Sequence, residues 1–491
     1  MKTILRANNI LLGRKAQLGI SSRSVLTARR RQSTSPALSR KWSTPLAESL
    51  AKAIATTGPI SVASYMRQCL TSPDGGYYTQ THADGRDPFG KSGDFITAPE
   101  ISQVFGELVG LWVIAEWMAQ GRKSSGVQLV ELGPGRGTLM DDMLRTAQNF
   151  RPFIDSLETI YLIEASPSLR EKQHKLLCGK EPLHATETGH ESHTKYPSRT
   201  KIVWFEDMSF LPTAQTSKSP FIIAHEFFDA LPIHIFQSVP VRIPTKPSLT
   251  TSTTSTNPPP FSTRNEWREL LVSIRPPSTN STDPDFDLIL SPSPTPHSLS
   301  LPTLSSRYMD LLQTTHSTIE ICPLALSIMH TIANLIAPPS PSPSASGAAL
   351  LIDYGPASTI PANTLRGIRT HALVSPLSFP GLVDVSASVD FTGLADAALA
   401  ASEGVEVHGP VGQAGWLGAM GGAERVKAIE AMQAKVLKGG EKGQGLVRGA
   451  WERLVDVGPR GMGGLYQVMA IVPEGRMGMG GVVGFGGDVV G

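Results

Sequence analysis

The sequence predicts an α/β protein built on a doubly wound, largely parallel sheet, and three stretches carry that expectation. Val127-Gln128-Leu129-Val130-Glu131-Leu132 is an apolar run that breaks into Gly133-Pro134-Gly135-Arg136-Gly137-Thr138. It then resumes with Leu139, Met140, Met143 and Leu144 at helical spacing, so it reads as buried strand, glycine turn and amphipathic helix. A second run, Thr159-Ile160-Tyr161-Leu162-Ile163, ends on Glu164. Two more, Ile202 to Phe205 and Phe221 to Ala224, run into acidic loops. Short apolar runs alternating with helical patterns are the signature of a parallel sheet.

The glycine loop is the first candidate site. A Cβ there would hold a ligand off the backbone, and the free N–H groups at the helix start favour anionic ligand groups. A dinucleotide fingerprint needs G-x-G-x-x-G. Here Gly133, Gly135 and Gly137 fall as G-x-G-x-G, and Thr138 stands where the third glycine should be, which disfavours a nicotinamide-dependent dehydrogenase. Glu131 precedes the first glycine. In a doubly wound sheet the end of the second strand lies beside the first loop, which places Glu164 to accept both hydroxyls of a ribose. The third strand ends at Glu206 and Asp207, within reach of an adenine. The E-x-G-x-G-x-G order resembles motif I of the seven-stranded S-adenosylmethionine-dependent methyltransferases, a resemblance that implies S-adenosyl-L-methionine as cofactor.

At 491 residues and 40% hydrophobic content, the chain can bury a substantial core, although 39 clustered prolines make the folded part shorter than the whole. A net charge of +2 gives no argument for nucleic acid. No run approaches the ~18 apolar residues of a membrane span. The three cysteines, Cys69, Cys178 and Cys322, show no metal-ligand spacing, so they read as reduced thiols and no metal site is expected. Met1 to Leu46 contains no Asp or Glu, yet carries Lys2, Arg6, Arg14, Lys15, Arg23, Arg29, Arg30, Arg31, Arg40 and Lys41 among Ser, Thr and Ala. That is the composition of a mitochondrial transit peptide, assigned here to residues 1–43.

Beyond it, Thr44 to Ala55 and Ile60 to Leu70 read as helices. Thr97, Pro99 and Glu100 mark the start of one long helix carrying Ile101, Val104, Phe105, Leu108, Val109 and Trp112 on one face. From Pro240 to Leu304 the composition turns to Pro, Ser and Thr, for example Thr250 to Pro260 and Ser291 to Ser298, and is expected to be disordered or extended. Within it Trp267 to Ile274 and Phe286 to Leu290 read as a hairpin. A Pro/Ser linker, Pro338 to Ser346, precedes a buried strand at Ala348 to Ile352. Later come a helix around Phe391 to Ala401, a helix with Val426, Ile429, Met432 and Val436 on one side, a final strand at Leu465 to Val472 and a Gly-rich tail. The expected organisation is residues 44–239 and 348–474 as one methyltransferase domain, with 240–347 inserted and 475–491 as tail.

Several further stretches resemble the MidA family of mitochondrial and bacterial methyltransferases: Asp87-Pro88-Phe89-Gly90, Gly93 to Glu107, Glu131 to Leu139, Tyr161 to Arg170, Glu226-Phe227-Phe228-Asp229-Ala230-Leu231-Pro232 and Leu351-Ile352-Asp353-Tyr354-Gly355. The resemblance implies a seven-stranded Rossmann-like fold with a helical N-terminal extension and Pro/Ser/Thr-rich insertions. It also implies a mitochondrial matrix enzyme that dimethylates arginine, symmetrically, on a core subunit of the peripheral arm of respiratory complex I. A non-catalytic assembly chaperone that keeps the fold is the rival reading, against which the glycine loop and Glu164 argue.

The chemistry points to the loop after the fourth strand, because ligands of open α/β sheets lie beyond the carboxyl ends of the strands. An arginine guanidinium is a poor nucleophile while its charge is delocalised. Carboxylates that pair with its N–H fork localise that charge and accept the proton as the new bond forms. Glu226 and Asp229 have the spacing for this, with Phe227 and Phe228 as walls. His225, where the family usually has Asn, is the third candidate. Asp94 and Glu100 lie in the other matching loop and either close over the cofactor or bind the peptide, although helix capping explains Glu100 as well. Asp353 is explained equally well by capping the adjacent turn and stays outside the catalytic set.

Overall fold

The computed structural model describes residues 40–79, 96–212, 217–244, 261–277, 283–339, 345–436, 444–458, 461–475 and 481–486. Residues 1–39 of the basic N-terminal segment, Asp87 to Gly90, Asp94 and the Thr250 to Pro260 stretch lie outside these residues, whereas Arg40 and Trp42, expected in the transit peptide, contact Arg275 and Phe286.

The central sheet contains the seven strands of the expected fold: β1 (Val127–Leu132), β2 (Leu157–Ile163), β3 (Lys201–Phe205), β4 (Ser219–His225), β5 (Ala348–Tyr354), β6 (Val405–Gly412) and β7 (Tyr466–Pro473). Their order is β6-β7-β5-β4-β1-β2-β3, and two short strands, Gly189–His193 and His184–Ala185, extend the sheet beyond β3. The pairs from β5 to β3 are parallel, whereas β7 runs antiparallel between β5 and β6. The order reverses at β1, so the carboxyl ends of β1, β2 and β4 open onto one crevice.

Both faces of the sheet are covered, which is why its strands are near-continuous apolar runs. Alternate residues serve opposite layers. Leu129, Phe221, Ile223, Leu350 and Val468 pack with Val104, Phe105, Leu108, Met140 and Leu144 on one side. Val130, Ile222, Leu351 and Met469 meet Ile328, Met329, Ile332, Phe391 and Leu394 on the other. Each such side chain contributes about 1.5–3 kcal/mol on burial.

The long helix expected after Thr97 is broken in two. Ala98–Ile101 forms a single turn, Ser102 is extended at φ −153°, and Gln103–Ala119 begins afresh with the Ser102 hydroxyl accepting from Val104 N–H. Further on, Gly422–Val436 buries Val426 and Ile429, while Met432 is 62% exposed, so the expected apolar stripe stops short.

The Pro-rich region differs more. A second, antiparallel sheet is built from His234–Pro244, Phe261–Ile274, Phe286–Leu290, Thr318–Ile321 and the two-residue strand Ile60–Ser61. It begins at His234, before the composition changes, and Ser291 to Ser298 is folded rather than disordered. There Thr295 and Ser298 make a reciprocal capping box at the start of the Pro296–Ser300 helix. The N-terminal helices Pro45–Thr57 and Val62–Thr71 pack on this sheet, bringing Leu50, Tyr65, Met66 and Cys69 onto Ile235, Val272 and Phe286. A third sheet joins Arg366–Arg369 to Ala372–Val374 and to Asp384–Ser386 and overhangs the crevice. Among the described residues no helix is long and apolar enough to cross a membrane.

Candidate active site

A cavity of ≈ 620 Å³ opens at the carboxyl ends of the central strands, lined by Glu131, Gly133, Gly135, Glu164, Glu206, Asp207, His225, Glu226, Asp229 and Glu100. Gly137 stands behind the wall as the N-cap of the Thr138–Ala147 helix.

The glycine loop needs its glycines. Gly133, Gly135 and Gly137 have φ of 62°, 54° and 86°, in the left-handed region that side chains disfavour. At Gly133 a Cβ would also lie 2.9 Å from the Phe227 ring, so the loop after β1 and the loop after β4 touch at a position with no room for a side chain. Glu100 reaches across from the broken helix to Arg136 at 3.2 Å, tying that segment to the same loop.

Glu164 is 7% exposed. Its two oxygens accept from Ser166 N–H at 2.8 Å and from Gln173 Nε2 at 2.9 Å. A carboxylate has about four acceptor positions, so about two remain for a diol. Gln173 also donates to Gly135 O at 2.7 Å and accepts from Trp204 Nε1 at 2.9 Å, locking acid and glycine loop together. Burial raises Glu164 to about 7. Burial, then the proximity of Glu164, raises Glu131 to about 8. Among the described residues, Glu131 Oε2 is buried without a hydrogen-bond partner. Unpartnered acceptor, diol-ready acid and glycine loop together fit S-adenosylmethionine, which carries two cationic centres and a ribose. Glu206 is exposed and lies 3.9 Å from Arg170, while the Asp207 carboxylate accepts from Ser209 N–H at 2.8 Å, so Asp207 shapes its own turn.

The loop after β4 is held from outside itself. Glu226 has φ 49°, a strained value for a side-chain-bearing residue, and its N–H donates to Ile352 O at 3.0 Å. Asp353, at the end of β5, accepts through Oδ2 from the N–H groups of Phe227, Phe228 and Asp229 at 3.1, 2.8 and 3.3 Å. Its other oxygen accepts from Tyr354 N–H at 2.8 Å. Asp353 is therefore the clamp of the loop. Phe227 forms cavity wall, and Phe228, 3% exposed, anchors the loop in the core.

The two candidate acids have different partners. Glu226, whose side chain is 12% exposed, accepts from Tyr466 Oη at 2.7 Å, and Tyr466 is in turn hydrogen-bonded to Tyr354. Burial raises Glu226 to about 8, against the lowering effect of the Tyr466 bond. Asp229 instead faces the chain's own Arg366, with Nη2 3.6 Å from Oδ2. Arg366 lies over the Tyr354 ring at 5.1 Å. Burial raises Asp229 above the usual carboxylate range, with Arg366 opposing it. His225 is pushed down to about 3 by burial and is neutral. Among the described residues its Nε2 has no hydrogen-bond partner, and it lies 3.6 Å from Glu226, with the ring parallel to Tyr466.

Gln173, Arg366 and Tyr466 are site residues that sequence reasoning did not single out. Tyr354 stood inside a quoted motif without a role. Nothing local marks Tyr466, because its partner lies 240 positions away in the sequence.

Comparison with known proteins agrees with this geometry. Residues 108–411 match the family model described as "Putative S-adenosyl-L-methionine-dependent methyltransferase". The mitochondrial protein arginine methyltransferase NDUFAF7 of Danio rerio is 37% identical over 386 residues, spanning 77% of this chain and 77% of that protein. The Homo sapiens protein of the same name is 34% identical over 439 residues, 88% and 85% of the two chains. A COG1565 superfamily member from Burkholderia thailandensis, solved with S-adenosyl-homocysteine, shares the fold with a TM-score of 0.63 at 22% identity, covering 91% of this chain and 95% of that one. The chain belongs to this methyltransferase family, and S-adenosylmethionine is its cofactor.

Proposed function

We propose that this methyltransferase modifies arginine side chains of a protein substrate, with Glu226 as the general base. The names of the similar proteins support arginine as the acceptor and the mitochondrion as the location. The acid-free N-terminus supports import, with the matrix as destination. The MidA resemblance supports a core subunit of the peripheral arm of complex I as the target and symmetric dimethylation as the product. The single observation that carries the reading is the half-buried Glu226, which has no hydrogen-bonded cation among the described residues and accepts from Tyr466 beside the glycine loop.

Bound S-adenosylmethionine supplies an electrophilic methyl group on a sulfonium. The protein's task is to prepare the nucleophile. An incoming guanidinium, cationic with a pKa above about 12, ionises Glu226 by pairing with it. The carboxylate then draws positive charge toward itself and away from the attacking nitrogen. With S-adenosylmethionine, held by the glycine loop and Glu164, as methyl donor, Glu226 would take the nitrogen's proton on methylation. Arg366 balances Asp229, so that ionising Glu226 does not place two uncompensated charges side by side, and Asp229 remains able to orient a second N–H of the substrate. Neutral His225 carries no charge into the step. Phe227 and Tyr354 exclude water.

The test is methyl transfer from radiolabelled S-adenosylmethionine to peripheral-arm subunits, with mass spectrometry locating the methyl groups. Glu226→Gln keeps the shape, retains cofactor affinity and lowers the rate by about a hundredfold or more. Normal arginine methylation by Glu226→Gln would remove the base assignment. In cells, Asp229→Asn separates chemistry from scaffolding. Loss of methylation with normal complex I assembly would make binding, rather than methylation, the essential act.

A further inference from the structure

No metal ligand is legible in the sequence, yet three donors converge outside the catalytic cavity. His234 opens the first long strand of the second sheet, immediately after the loop that ends at Pro232. Glu269 lies on the neighbouring strand, where the register pairs it with Phe236. The two-residue period of a strand puts His234 on the same face as Phe236, and hence diagonal to Glu269. His297 comes from the first turn of the Pro296–Ser300 helix. One nitrogen or oxygen from each of the three lies within 4.8 Å of the others.

We propose that His234, Glu269 and His297 form a binding site for a divalent transition-metal ion, zinc above all, that staples the inserted sheet to the base of the catalytic loop. Two imidazoles and one carboxylate form a donor set of intermediate softness that suits zinc better than magnesium or calcium, which prefer oxygen. The separations are close to those required. His234 Nδ1 is 2.7 Å from Glu269 Oε1, and His297 Nδ1 is 3.5 Å from Glu269 Oε2. Bonds of about 2.0–2.2 Å in a tetrahedron separate the donors by roughly 3.3–3.6 Å, a change within the reach of side-chain rotation. The two imidazole rings are already neighbours, with centroids 4.2 Å apart and planes tilted by 48°.

Two features distinguish this cluster from an ordinary buried ion pair. Glu269 is 1% exposed and already oriented by Thr295 Oγ1 at 2.5 Å, the outer-shell donor that fixes a ligating carboxylate. His297, with a half-exposed side chain, leaves one side open for an ion to enter and for water to complete the coordination. The three residues come from three chain segments, so a cation there would restrain the insert more than any one of its hydrogen bonds does.

The test uses tag-free, full-length protein stripped with chelator and titrated with zinc chloride, read by calorimetry and by metal content after gel filtration. One zinc per chain is expected, together with a thermal midpoint a few degrees higher when zinc exceeds its Kd by about a hundredfold. His297→Ala, at the exposed ligand and so compatible with folding, should weaken binding by at least about tenfold, and Glu269→Gln should abolish it. Cobalt loading should give ligand-field bands without a thiolate charge-transfer band, which separates this site from the cysteines. Absence of stoichiometric zinc, or unchanged affinity in folded His297→Ala protein, would overturn the assignment.

Discussion

Replacing Tyr466 by Phe isolates one hydrogen bond and leaves the ring in place. The phenol donates to Glu226 Oε1 at 2.7 Å, and the ring lies parallel to His225 with centroids 6.3 Å apart. Phe keeps that contact and removes the donor. A hydrogen bond to a charged acceptor is worth about 1.5–3 kcal/mol. At 1.36 kcal/mol per pH unit this equals about one to two units. The bond favours the ionised acid, so its loss raises Glu226 further, from about 8 toward roughly 9–10. The predicted phenotype is conditional on pH. In kcat/KM profiles, which report the free enzyme, the ascending limb moves alkaline by about one to two units. Activity near neutrality falls about ten- to a hundredfold and recovers once the pH passes the displaced value. The assay is initial-rate methyl transfer to an arginine peptide across the pH range at which the protein stays folded. A limb that does not move would refute the argument. So would a loss of equal size at every pH, because either result would mean that Tyr466 does not set the protonation of the base.

Three other outcomes follow from the same geometry. Glu164→Ala should weaken S-adenosylmethionine binding by about ten- to a hundredfold in calorimetry while Gln173 keeps the glycine loop in place. Gly133→Ala forces a side chain into φ 62° and against Phe227, and should cost at least about 1–2 kcal/mol in denaturant unfolding and lower the methylation rate too. Stability of the cofactor-free protein should fall as pH rises. Glu131, Glu164 and Glu226 hold their protons in the folded state up to about 8, 7 and 8, against 4.5 for the ordinary side chain. Their contribution is complete below 4.5 and lost through those values, because the folded state binds the extra protons. A thermal midpoint that rises between pH 5 and about 9 would contradict this linkage.

The cofactor half of the cavity was readable because its parts are local. Glu131 and the glycines occupy one strand-to-helix turn, and Glu164 ends the next strand, so the winding rule alone brings them together. The loop from His225 to Asp229 announced itself through acids and aromatics at a strand end. What holds that loop was not readable. Asp353 and Tyr466 arrive from β5 and β7, across more than a hundred residues of intervening chain. Arg366 comes from a small sheet whose strands are too short for a periodic signal. Composition hid only part of the second sheet: the hairpin of Trp267 to Ile274 with Phe286 to Leu290 was legible, whereas the strand His234–Pro244 was not, because Pro240 lies within it yet pairs with Asn265. The break at Ser102 escaped notice because apolar residues keep helical spacing across it.

The position of β7 has a consequence for biosynthesis. It is the last of the seven strands to leave the ribosome, yet it must take a place one strand in from the edge, between β5 and β6 that precede it. The glycine loop and Glu164 follow β1 and β2, the first two of the seven strands to be made. The phenol of Tyr466 cannot reach Glu226 until synthesis has passed β7. The hydrogen bond that tunes the base is thus withheld from every chain that ends before β7.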